Sequence, residues 1–206
     1  MKLRSLVVAV VLALAVVLVP ASAHAQGAIY LNPIAARVSN STVDNSQFSF
    51  LGQNTTSRIF YGVVFGGYYD IPMSSRTVEV GVDLRDAVLH GNNALLNSFQ
   101  LGPRIAFWPT THRLHPYVEP FVGVGTTRAP HTQATVGKLG YGVLGGADYE
   151  LGHHVNFRVF EVGYSSLVTA SNSTLGNTGT GFPAAKLITF SSGLTFRLPQ
   201  WGRNRH

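Results

Sequence analysis

The residues best able to do chemistry in this chain are a serine pair and a set of histidines. Glu161-Val-Gly-Tyr-Ser165-Ser166 places a carboxylate close in sequence to two hydroxyls. A serine becomes a nucleophile when a histidine within hydrogen-bond reach takes its proton. The nearest histidines in sequence, His153 and His154, lie beyond the start of the same segment. At ~3.3 Å per residue they stand more than about 30 Å from Ser166, far outside that reach. His112 and His115 have a chelating spacing, and His90 and His131 stand alone. None has an acidic residue close by, and the chain has no cysteine. Solvated surface is therefore expected, not a zinc site. Gly123-Val-Gly125 and Gly145-Gly146 lie inside extended segments, where small residues make room for larger neighbours rather than cradle phosphate. No catalytic residue, metal or cofactor is expected.

A second set of reactive groups is more orderly. Glu79, Asp83, Glu119, Asp148 and Glu161 oppose Arg85, Arg104, Lys138, Arg158 and Arg197, five of each sign. All ten fall on the less apolar face of alternating segments. Balanced charge is what a narrow, dry interior requires, because one buried charge without a partner is costly. These ten are expected to form a paired network that fills a lumen.

The elements that must hold them alternate with period two, the pattern of strands with unlike faces. Arg76 to Asp86 is the clearest, with Val78, Val80, Val82 and Leu84 opposite Glu79, Gly81, Asp83 and Arg85. Ser98 to Trp108, Tyr117 to Gly125, Lys138 to Tyr149 and Ile188 to Arg197 follow suit. Arg58 to Tyr69 sets Ile59, Tyr61, Val63 and Phe65 against Gly62 and Gly66. Val155 to Ser166 changes phase midway, which a bulge at Val159-Phe160 would reconcile. Ile29 to Val38 completes the count, with Pro33 at a position that needs no amide hydrogen. Eight strands, an even number, suit a closed bacterial barrel.

The connections after strands two, four and six are short: Asp70 to Ser75, Thr110 to Leu114 and Leu151 to His154. The others include the longer, polar stretches Asn40 to Ser57, Ala129 to Thr135 and Val168 to Pro183, although Gly91 to Ala94 is brief. That asymmetry predicts periplasmic turns on one side and outer loops on the other. Phe60, Tyr61, Tyr141 and Tyr164 near one rim, and Tyr68, Tyr69, Trp108 and Tyr149 near the other, predict two interfacial aromatic belts.

The start of the chain indicates export. Met1-Lys-Leu-Arg precedes an unbroken apolar run from Leu6 to Val19, and Ala23-His24-Ala25 is a cleavage pattern. Residues 1–25 read as a signal peptide, which leaves residues 26–206 as one domain. Only 12% of residues are charged, against roughly 25% in soluble domains. The mild basic excess is spread along the chain, which argues against nucleic acid as a partner.

The chain resembles the small outer-membrane barrels of the OmpA-like and opacity-protein-like group. The resemblance is carried by Arg58-Ile-Phe-Tyr-Gly-Val-Val-Phe-Gly-Gly-Tyr-Tyr, His115-Pro-Tyr-Val-Glu-Pro-Phe-Val-Gly-Val-Gly, Gly145-Gly-Ala-Asp-Tyr-Glu and Ser191-Ser-Gly-Leu-Thr-Phe-Arg-Leu. It implies an all-β, eight-stranded, antiparallel up-and-down transmembrane barrel placed in the outer membrane by the barrel-assembly machinery. The chain departs from the group in its end, where Phe196 is followed by Pro199, Trp201 and a basic tail to His206. Some such barrels deacylate lipid A, but their histidine two positions before the serine is replaced here by Gly163. The expected role is structural or surface-interacting, within outer-membrane lipid, with loops 40–57 and 168–183 facing an extracellular partner. A narrow pore, and an exported soluble barrel holding an apolar ligand, are the competing expectations.

Overall fold

The computed structural model describes residues 26–71, 77–91, 93–107, 113–152, 154–171, 174–175 and 183–198. Residues 1–25, Arg76, Trp108, His112, His153 and the tail from Pro199 lie outside these, as does much of the connection from Val168 to Pro183. Eight strands form a closed barrel: β1 (Gln26–Ser39), β2 (Ser57–Ile71), β3 (Val78–Gly91), β4 (Ala94–Phe107), β5 (Leu114–Arg128), β6 (Thr135–Gly152), β7 (Val155–Leu167) and β8 (Ala185–Arg197). Each strand pairs antiparallel with the next, and β8 closes onto β1. A row of paired residues leaving β6 at Tyr149 passes Leu31 on β1 and Asp86 on β3, and regains β6 at Leu139. That stagger fits strands inclined at roughly 40° to the barrel axis.

Alternation sorts the wall into two faces. Ile29, Leu31, Tyr61, Val63, Val82, Leu101, Val122, Val143 and Leu194 are exposed outside, while Asp83, Arg85, Arg104, Glu119, Asp148 and Arg158 are buried inside. Two devices keep this sorting in phase. At Val159-Phe160 both side chains face outward, and the pairing of β7 slips against β6 and β8. This is the expected bulge; the Ser192 hydroxyl donates to the freed Arg158 carbonyl at 2.9 Å. Prolines occupy gaps in the ladders. Pro33 sits where β1–β8 pairing lapses between Leu31 and Ile34. Pro103 and Pro120 fall opposite each other where β4–β5 pairing lapses between Leu101 and Ile105, since neither ring can donate a backbone bond.

Strands extend beyond their sequence-predicted limits, mostly on the loop side. There the polarity inverts: Ala87, Leu89, Ala94, Leu96, Ala185 and Leu187 point inward, and His90, Asn97 and Lys186 point outward. The upper barrel thus has an apolar core of its own. The loop between β1 and β2 closes over it, held by Asn40 N–H to Thr56 O at 2.8 Å. Phe50 stacks on Phe60 with ring centroids 4.8 Å apart, and Leu51 is buried beside them. Phe60 and Tyr68 were expected in the outer aromatic belts but face inward. Tyr61, Tyr69, Tyr141, Tyr149 and Tyr164 remain on the outer face.

Candidate functional site

The lumen holds a connected lattice of guanidinium and carboxylate groups. Arg85, from the middle of β3, bridges three acids: Asp83 at 2.6 Å, Glu119 at 3.0 Å and Glu161 at 2.9 Å. Glu161 passes the lattice to Arg158 at 2.9 Å, and Arg158 passes it to Asp148 at 2.9 Å. Arg104 meets Asp148 at 3.1 Å and reaches Asp70 at 3.7 Å. Six strands, β2 to β7, supply these groups, so the lattice ties the barrel wall together from within.

Tyrosines fill the spaces between the charges. The Tyr30 hydroxyl donates to Asp83 at 2.9 Å, and the Tyr117 hydroxyl to Glu161 at 2.6 Å. Arg158 lies over both rings, 4.6 Å from that of Tyr30 and 4.9 Å from that of Tyr117. Arg104 lies 4.0 Å over Tyr68. Cations over aromatic faces gain from the ring quadrupole when water is excluded. Gly66 and Gly146 make this possible. A Cβ on Gly66 would meet the Tyr30 hydroxyl, and one on Gly146 would meet that of Tyr117.

Of the ten charges expected in the lumen, Asp83, Arg85, Arg104, Glu119, Asp148, Arg158 and Glu161 belong to the lattice. Glu79 and Arg197 also face inward, toward the turn side. Lys138 corrects the expectation. It is exposed at the loop end of β6, where the tilted strand has risen above the charged layer. Asp70, Tyr30 and Tyr68 were missed, whereas alternation in the segment Tyr117 to Gly125 already puts Tyr117 on the Glu119 face. Asp70 was placed in the short connection Asp70 to Ser75, beyond the inner-face run Phe60, Gly62, Val64, Gly66 and Tyr68, which carries no charge. The ion pairs named above join five carboxylates, Asp70, Asp83, Glu119, Asp148 and Glu161, through Arg85, Arg104 and Arg158.

His115 is a second correction. It was expected on solvated surface, yet it is buried inside the barrel, with Nε2 3.8 Å from Glu150. No group of three or more metal-ligating side chains occurs among the described residues. The serine pair is divided by the wall: Ser165 turns into a small cavity lined by Ser98, Gln100 and Phe121, and Ser166 turns outward. The Ser166 hydroxyl accepts a bond from Lys186 at 3.4 Å. Above the lattice, Leu89, Leu96, Ser98, Gln100 and Thr189 line a cavity with room for a few waters.

This arrangement is the reverse of a soluble ligand-carrying barrel, whose interior is apolar and whose charged face meets water. Charges inside and aliphatic side chains outside are the polarity of a wall that meets lipid.

No family model and no curated protein matches the chain. Among solved structures, it is similar to Neisserial surface protein A, with 13% identity over 84% of this chain and 98% of that one, and a TM-score of 0.56. The Ail protein of Yersinia pestis gives 10% identity, 85% and 99% coverage and 0.46. The N-terminal barrel domain of Pseudomonas aeruginosa OprF gives 11%, 85% and 100%, and 0.45. The likeness to the first is one of fold, that of the small eight-stranded outer-membrane barrels.

Proposed function

We propose that this chain is an integral protein of a bacterial outer membrane, acting through its outer loops in a structural or surface-interaction role. The observation that carries the reading is the inverted polarity of the wall. Leu31 and Val122 are 63% exposed and Leu139 80%, while Asp83 and Glu119 are fully enclosed. In water such an exterior would be an aggregation surface; in lipid it is the stable arrangement.

The lumen serves stability and not passage. The lattice crosses it at the lower level, and Phe50, Leu51 and Phe60 close the mouth above. The loops 40–57 and 168–183 then offer the surface for an extracellular partner, because binding concentrates on loops carried by a rigid scaffold. Surrounding lipid and the barrel-assembly machinery are the other partners of this reading. The separation of Ser165 from Ser166 by the wall speaks against nucleophilic chemistry at that pair.

Membrane fractionation tests the compartment. The protein should sediment with outer membranes and require detergent for release. Recovery in the soluble periplasmic fraction without detergent would favour an exported soluble barrel instead.

A further inference from the structure

We propose that the loop-side rim of β6, β7, β8 and β1 docks the phosphate groups of an outer-leaflet lipid. The inference rests on the outer-membrane reading and supplies an occupant for one part of the wall.

The distribution of outward charge points there. Of the described wall residues facing outward, the arginines and lysines are Arg37, Arg128 and Lys186, and all lie at the loop ends of their strands. At the turn side, the corresponding outward positions are Ile71, Phe107, Leu114, Leu151 and Phe196. Charge placed merely for solubility would mark both ends alike. Arg37 and Lys186 fall together: Lys186 pairs with Ser39, and Arg37 with Ile188, so the two are diagonal neighbours on one face. Such neighbours stand roughly 7–8 Å apart at their Cα atoms. Their side chains can close on one phosphate or span two, with the guanidinium offering paired donors.

The surroundings favour a lipid over a soluble anion. Ser166 pairs with Lys186, Tyr141 with Ser166, and Tyr164 with Ile188, which places two aromatic rings next to the cations. Tyr141, Tyr164 and Ile188 are 66%, 51% and 50% exposed. A phosphate in free solution has no use for that apolar apron, whereas the acyl chains of a lipid would cover it. Among the described outward wall residues, no carboxylate lies on these four strands to compete with the phosphate.

The test folds residues 26–206 into phosphatidylcholine nanodiscs carrying either bisphosphorylated lipid A or its dephosphorylated analogue, and reads retained lipid by native mass spectrometry. The phosphorylated form should be retained about tenfold or more over the other. The double variant Arg37→Glu, Lys186→Glu should lose that preference, and Arg128→Glu, across the barrel, should keep it. Equal retention of both lipids, an unaffected double variant, or full displacement by millimolar inorganic phosphate overturns the proposal. Failure to enter nanodiscs at all defeats the outer-membrane reading beneath it; entry without discrimination defeats only the lipid site.

Discussion

Arg158 bridges Glu161 and Asp148, each 2.9 Å away, and so links the Arg85 and Arg104 halves of the lattice. Removing one partner of a buried ion pair costs about 3–5 kcal/mol because the remaining charge stays desolvated. Arg158→Ala should therefore lower the unfolding midpoint in detergent strongly. Arg104→Ala should lower it less, because Asp148 keeps Arg158. Equal, negligible effects in both would mean that water reaches the lattice. Seven lattice members were legible as charges on the inward face of alternating segments. Lys138 was not separable from them, because alternation reports a face and is silent on height. Once the strand passes the charged layer, the same inward direction opens to solvent. Tyr117 was placed by its alternation with Glu119, whereas Tyr30 was illegible for a different reason. A tyrosine suits either face, and only the glycines opposite show which one has room.

The bulge is the element that reconciles the two phases of β7. Deleting Val159 removes the extra residue and lets Arg158, Phe160 and Glu161 alternate without a break, so both halves of the strand keep their faces. That deletion should therefore leave the barrel folded, as should Val159→Ala; loss of the folded barrel on deletion would refute the assigned bulge. The paired prolines 103 and 120 leave the β4–β5 ladder with a gap. Amide exchange in detergent should be faster beside that gap, at Leu101 and Val122, than along the continuous β5–β6 ladder. Uniform protection around the wall would contradict it. The phase change in β7 was readable because both halves lie within the lipid-facing zone. The strand ends were clipped because polarity inverts there: Leu89 and Leu96 turn inward, and an apolar-out rule stops recognising the strand. The faces of β1 are mixed for the same reason, with Leu31 outward and Ala36 and Val38 inward.

At the scale of the molecule, two cores are stacked in one wall. The lower is ionic with an apolar exterior; the upper is apolar with a polar exterior and a loop lid. The change-over marks where the surroundings change from lipid to water. Lattice and lid lie in series along the axis, so no stable channel steps should appear in planar bilayers; regular unitary steps would require one of the two to open. The most direct test of the central claim is the gel mobility of the folded chain in dodecyl sulfate, unheated against boiled. A closed barrel tied together from within resists the detergent until heated, so the unheated sample should run as a distinct, faster band that boiling converts to the unfolded position. One unchanged band from the membrane-extracted protein would contradict the closed, internally braced barrel.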